Sequence, residues 1–209
     1  MSENQIQELP KIKIIFLGDQ GTGKSSILNR FVNDKFDDKY QATVGLDFNS
    51  KIVKIDNQDV RLILFDTAGQ EKFKSLIQMY TRDAQIIILV YDITRKESFE
   101  SIPEWVNGLT NVKKEDVIFC LVGNKIDLPE KAVDTEEAKK YAENNNYIFE
   151  EVSAKTGENF NSLFYKQIFE RIITKFKVGE KENVTLTEIG KINLSQNPVE
   201  EDKSFCCKK

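Results

Sequence analysis

The stretch GDQGTGKSS, Gly18–Ser26, constrains the fold more than any other in this chain. It fits the spacing G-x-x-x-x-G-K-[ST] at Gly18, Gly23, Lys24 and Ser25. A loop of this kind needs a buried strand before it and a helix after it. Both are legible, as an apolar run at Lys11–Leu17 and a helical pattern over Lys24–Asn33. Glycines such as Gly21 and Gly23 let backbone N–H groups close around a polyphosphate without Cβ clashes, and the helix N-terminus adds positive potential. Lys24 supplies a point charge to the outer phosphates. The Ser25 hydroxyl, with Ser26 beside it, can meet Mg²⁺ or phosphate. The competing reading is a plain Gly-rich turn.

The pattern continues as strand, helix, strand. Further strands are expected at Phe48–Ile55, Val60–Phe65, Gln85–Tyr91, Val117–Val122 and Tyr147–Val152, mostly as continuous Ile/Leu/Val runs of the type buried on both faces. Helices are expected at Ser98–Val112, Thr135–Asn144 and Phe160–Phe176, with a shorter one over Lys72–Tyr80. The connection DNQD after Ile55 is too short for a crossover, so that pair is an antiparallel hairpin at a sheet edge. The fold class is α/β, a P-loop NTPase. Its sheet has six mostly parallel strands, one antiparallel edge strand and helices on both faces. Residues 1–10 read as an N-terminal extension, 11–176 as the domain and 177–209 as a flexible tail without sustained periodicity.

Two further loops narrow the chemistry. Asp66 ends an apolar strand in LILFDTAGQE, where a carboxylate can hold Mg²⁺ through water. Gly69 can offer an N–H to a γ-phosphate, and Gln70 can orient an attacking water. In LVGNKIDL, Asp127 can accept from the adjacent N1–H and N2–H₂ donors of guanine, a pattern that adenine lacks. Asn124 can approach the Hoogsteen edge and the Lys125 stem can cover a ring face. In VSAKTG, Ser153 precedes Ala154, whose N–H can reach guanine O6, and Lys155 can pack on the base. Each of these could be a surface loop alone; together they indicate guanine.

Composition closes other routes. Histidine is absent and the net charge is −4, which argues against His-based acid–base chemistry and a broad nucleic-acid surface. The polar N-terminus does not read as a signal peptide. One isolated cysteine and a terminal pair, among three in total, are no disulfide framework.

Residues 11–176 resemble the Ras-like small GTPases and, within them, the Rab family. The segments that carry the resemblance are TVGLDF, RLILFDTAGQEKFKSL, YTRDA and YDIT. Gln20 and YQATVGLDF most resemble the Golgi-associated subgroup called Rab-six. The resemblance implies Thr43 as a ligand of Mg²⁺ and of the γ-phosphate, Phe36 covering guanine edge-on, and a second switch near Asp66–Tyr80. It implies an effector triad of Phe48, Phe65 and Tyr80, for which core packing is the alternative. Phe65 stands where the family usually has Trp, and Gln20 is expected to crowd the attacking water and slow turnover. It also implies geranylgeranyl groups on Cys206 and Cys207. The partners would be an exchange factor, a GTPase-activating protein, a GDP-dissociation inhibitor, a prenylation escort protein and effectors of the GTP form. The place implied is the cytoplasmic face of Golgi or related membranes, with a cytosolic pool. No arginine is obviously placed to act in cis, so an activator would supply one. The alternative to a hydrolysing switch is a GTP-locked membrane scaffold, and the intact Gln70 favours the switch.

Overall fold

A computed structural model describes residues 9–38, 43, 45–68 and 74–178. Six strands form one sheet: β1 (Lys11–Leu17), β2 (Leu46–Ile55), β3 (Gln58–Thr67), β4 (Ile86–Asp92), β5 (Ile118–Asn124) and β6 (Ile148–Val152). Their order is β2-β3-β1-β4-β5-β6, with every pair parallel except β2–β3. The antiparallel edge is as the sequence predicts. Its turn is tighter: Ile55 pairs with Gln58, and only Asp56 and Asn57 turn the chain, both at positive φ. That is the backbone of a type I′ hairpin, whose twist matches the strands.

Side-chain alternation along β1 divides the core in two. Ile12, Ile14 and Phe16 face α1 (Lys24–Asn33) and the C-terminal helix, meeting Ile27, Phe31, Phe164 and Ile168. Ile15 and Leu17 face the opposite layer, with Phe99, Trp105 and Ala138. That layer holds α3 (Lys96–Glu100), α4 (Ile102–Asn107) and α5 (Thr135–Asn144); α2 (Lys74–Thr81) follows β3. Asp134 caps α5 by accepting from the Glu136 and Glu137 N–H groups.

Two expected helices differ. The one predicted over Ser98–Val112 is two short helices that end at Asn107. Pro103 has no N–H to give the Phe99 carbonyl, so the ladder breaks there. The C-terminal helix winds as a π-helix over Asn161–Ile168 before becoming α6 (Phe169–Phe176). Phe160, Phe164, Ile168 and Ile172 recur every four residues, which overshoots the 3.6-residue α turn. The wider i→i+5 winding absorbs that excess, and all four side chains are buried. Packing also extends slightly past the expected domain limits. The Pro10 carbonyl accepts from Arg61 N–H at 2.8 Å, and Val178 joins the core.

Candidate functional site

The loop between β1 and α1 opens at the C-terminal end of the parallel strands, where α/β folds place ligands. Gly18 belongs to packing: a Cβ there would sit 2.1 Å from the Val90 carbonyl oxygen. Gly23 has φ +96, and a Cβ would strike the Asn124 amide at 2.1 Å. Gly23 is also the N-cap of α1, with no side-chain cap and no acidic residue in the first turn. The first N–H groups of the helix are left for an anion. Lys24 is buried, with Nζ donating to the Gly18 and Asp19 carbonyls, both at 2.8 Å. Burial pushes its pKa down to about 8, against the opposing pull of Asp66 and Asp19.

Three oxygens converge beside the lysine. Ser25 Oγ lies 2.7 Å from Thr43 Oγ1 and donates to Asp66 Oδ2 at 2.5 Å; Thr43 Oγ1 donates to the same oxygen at 3.2 Å. Burial raises the Asp66 pKa, with the Ser25 bond, the Lys24 charge and the Thr43 bond pulling the other way. Among the described residues, the buried Asp66 Oδ1 has no hydrogen-bond partner. An orphaned carboxylate oxygen is costly. Neighbouring ligands on an octahedral Mg²⁺ at 2.0–2.1 Å are about 2.9 Å apart. The Ser25–Thr43 spacing, the all-oxygen donor set and the orphaned atom behind it fit a hard cation. No cluster of three or more His, Cys, Asp or Glu is present among the described residues, so hydroxyls must complete any such site.

The base end is more tightly tied. Asn124, almost fully buried, donates Nδ2–H to the Thr22 carbonyl at 2.9 Å and accepts from Ala154 N–H at 3.1 Å. Both ends of the amide that was expected at the Hoogsteen edge are thus engaged with protein. So is the Ala154 N–H, through a long bond that a ligand oxygen could share. Asp127 Oδ1 accepts from Ser153 Oγ at 2.6 Å, and Ser153 Oγ accepts from Thr156 N–H at 3.0 Å. Ser153 therefore orients the carboxylate from behind. Lys125 sits at φ +77, and its Nζ bonds Asp92 Oδ2 at 2.5 Å.

A cleft of about 450 Å³ joins these parts, within the roughly 300–1,000 Å³ range of small-molecule pockets. Gly21, Gly23, Lys24, Ser25, Ser26 and Thr43 line one end, and Asn124, Lys125, Asp127, Ala154 and Lys155 the other, with Phe36 at the margin. Asp66 and Ser153 lie behind this lining. Gly69, Gln70, Cys206 and Cys207 fall outside the described residues. Phe48, Phe65 and Tyr80 form a ring cluster, with centroids 6.5 Å and 6.1 Å apart along the row. Phe48 is 68% exposed, so it is not a core residue, whereas Phe65 and Tyr80 are half-buried against the core.

Sequence reasoning missed several supports. Trp105 Nε1–H donates to Asp19 Oδ1 at 2.8 Å. Arg30 donates to the Ala154 and Lys155 carbonyls at 3.0 and 2.7 Å, anchoring the far loop to α1. Arg95 lies against the phosphate loop, its Nη2 donating to the Gln20 carbonyl. No local motif marks these residues; only the topology brings them in.

The Gly-rich loop after β1, the corner of three oxygens beside it and the Asn124–Asp127 loop meet at one cleft. The model of the Ras family matches residues 13–174, which is most of the chain and all of this site. The protein belongs to the Ras family and is a small GTPase, which binds and hydrolyses GTP and works with regulators and effectors.

Proposed function

We propose that this GTPase is a Rab-type switch in intracellular vesicle traffic, most like the Golgi-associated subgroup. The observation that carries this reading is the aromatic row on the β2–β3 edge, exposed at Phe48 and seated on the core through Phe65 and Tyr80. Such a row offers a partner a large apolar surface on a rigid base. Its middle ring is braced by Lys13, whose Nζ lies 4.9 Å from the Phe65 ring centroid.

The site residues take the following roles. The N–H groups of Gly21, Gly23 and the first turn of α1 hold phosphate oxygens, and the Lys24 ammonium exchanges its carbonyl partners for them. Ser25 and Thr43 offer hydroxyls to Mg²⁺, and Asp66 approaches through water. Bound Mg²⁺ supplies a divalent charge that draws electron density from the phosphate oxygens. Asp127 selects guanine and Lys125 covers the ring. Gln70 orients the attacking water, while Gly69 and Thr43 sense the γ-phosphate. Hydrolysis is slow alone and stimulated by a partner. Ras sets the scale, at roughly 10⁻⁴ s⁻¹ intrinsic and about 10⁵-fold faster with an arginine supplied in trans.

Cys206 and Cys207 are the proposed lipid attachment points. One lipid chain gives only marginal anchoring. Residues 177–209 carry six Lys and six Asp or Glu, so they add no net charge to help. Both cysteines are therefore required. The test is to express the full chain with Cys206→Ser, Cys207→Ser and both, then separate membranes from cytosol. Loss of membrane association in the double variant supports the reading, as does extraction of the GDP form by a dissociation inhibitor. Wild-type membrane levels in the double variant would contradict it.

A further inference from the structure

One peptide of the phosphate loop is held from outside the loop. Arg95 lies just after β4, and its Nη2 donates to the Gln20 carbonyl at 2.9 Å. Its Nε reaches Asp92 Oδ2 at 3.3 Å. Asp92 is almost entirely buried and is a hub: Oδ2 also accepts from Lys125 Nζ at 2.5 Å, while Oδ1 accepts from Thr94 N–H at 2.9 Å and Thr94 Oγ1–H at 2.7 Å. One guanidinium and one carboxylate thus connect the phosphate loop to the base-covering lysine. This route is separate from the Thr22–Asn124–Ala154 link.

The bond to Gln20 has a directional consequence. A trans peptide is planar, and its C=O and N–H point to opposite sides. The Gln20 carbonyl and the Gly21 N–H belong to the same peptide unit. Drawing the carbonyl toward Arg95 turns the Gly21 N–H the other way. Gly21 lines the cleft, and among the described residues its N–H has no protein acceptor. Gly21 adopts φ +78, a conformation that glycine enters and leaves at little cost. The loop alone therefore does not lock this peptide. The guanidinium is also close: a Cβ on Gly21 would lie 3.8 Å from Nη2.

We propose that Arg95 is a positioning residue for the nucleotide, holding the Gln20–Gly21 peptide so that the Gly21 N–H faces the phosphates and tying it through Asp92 to Lys125. The inference rests on guanine-nucleotide binding in this cleft and is independent of any role in traffic. Arginine suits the task because its planar fork serves two acceptors at once; a lysine ammonium is a single point. The Arg95 side chain is 45% exposed, so water offsets part of its contribution.

The test compares wild type with Arg95→Ala and Arg95→Lys, each full chain loaded with Mg²⁺ and fluorescent mant-GDP and chased with excess GDP. Release from Arg95→Ala is expected to be about 10-fold faster, the low end for one charge-assisted hydrogen bond. Arg95→Lys, which keeps charge but loses the fork, should recover only part of this. The Gly21 amide ¹H–¹⁵N signal and the bound β-phosphate ³¹P signal should both move in Arg95→Ala, with an unchanged far-UV circular dichroism spectrum. Arg95→Ala that releases GDP at the wild-type rate would overturn the inference, as would Arg95→Lys that restores it completely. Should Arg95→Ala fail to fold, the Arg95→Lys rate and its Gly21 signal decide alone. Wild-type protein that retains no mant-GDP would instead overturn the guanine reading, and the inference with it.

Discussion

The two ends of the cleft are built on opposite plans. At the base end, buried polar groups find partners within the protein: Asn124 bridges Thr22 and Ala154, Ser153 holds Asp127, and Arg30 anchors Ala154 and Lys155. At the phosphate end, like meets like. Three oxygens crowd together, one buried carboxylate oxygen has no partner among the described residues, and the lysine makes do with two carbonyls. The base end is preformed and its selectivity resides in side chains. On the proposed reading the phosphate end is completed by its ligands, and their loss should be felt there first. A switch needs this asymmetry, because nucleotide identity has to stay constant while the number of phosphates changes.

The largest effect expected from breaking the comparison is at Asp127. Asp127→Asn keeps one acceptor for guanine N1–H but sets an NH₂ donor against the N2–H₂ donor, and GTP affinity should fall by roughly 10³-fold or more, as when a site built around hydrogen bonds loses its match. Xanthine nucleotides, with a carbonyl at C2, should gain. Competition binding with both bases checks this, and unchanged preference for guanine would refute it.

Ser25→Ala probes the other end. It removes one of the two hydroxyls at the metal corner and should weaken Mg²⁺-dependent GDP retention by about 10–100-fold, the range seen when support for a metal site is lost. Titrating GDP release with EDTA should then show little further acceleration in the variant.

The fold was largely legible, and the reason is physical. Parallel strands covered on both faces read as unbroken apolar runs, so β1, β4 and β5 were placed within a residue or two. β2 begins at Leu46, two residues before the expected Phe48, because Asp47 is exposed and carries no burial signal. Phe99, Ile102, Trp105 and Val106 keep a helix-like spacing across Pro103, so the apolar pattern does not show the break there. In the site, most residues of the short-range motifs from Gly21 to Lys155 line one cleft, as their spacing predicts. Residues that act by crossing between elements carry no such motif. Arg95 and Trp105 reach the phosphate loop only because β1 and β4 pair in parallel, Leu17 beside Leu89, which sets the segments after them side by side.

A smaller effect sharpens the base end alone. Ser153→Ala frees the Asp127 carboxylate to rotate, and should weaken GDP binding by about 10-fold, the scale of one hydrogen bond to a charged group. The Mg²⁺ requirement should stay as in wild type, in contrast with Ser25→Ala. Isothermal titration at several Mg²⁺ concentrations separates the two, and a changed Mg²⁺ dependence in Ser153→Ala would break the proposed division.

The smallest effect is in pH. Burial pushes the Asp92 pKa up, but the bonds from Lys125 and Thr94 outweigh it, and the carboxyl lies below its ordinary 3.8. A depressed pKa means that the folded state favours the charged form. Its stabilisation is therefore complete above about pH 3.8 and is lost as pH falls through the lower folded value. Acid unfolding of Asp92→Asn should be less steep below that point than for wild type, from a lower starting stability. Parallel acid titrations would count against the hub.

The bond from Trp105 to Asp19 has an optical consequence. Trp105 is the only tryptophan in the chain, and its indole N–H ends on a side chain of the phosphate loop. Indole emission responds to the polarity and hydrogen bonding around that N–H. Any rearrangement of the loop on nucleotide entry or loss, or on hydrolysis of the bound nucleotide, is therefore written into the colour and brightness of one native fluorophore. The unlabelled protein carries its own real-time reporter, and the six tyrosines, which absorb at shorter wavelength, do not obscure it under red-edge excitation.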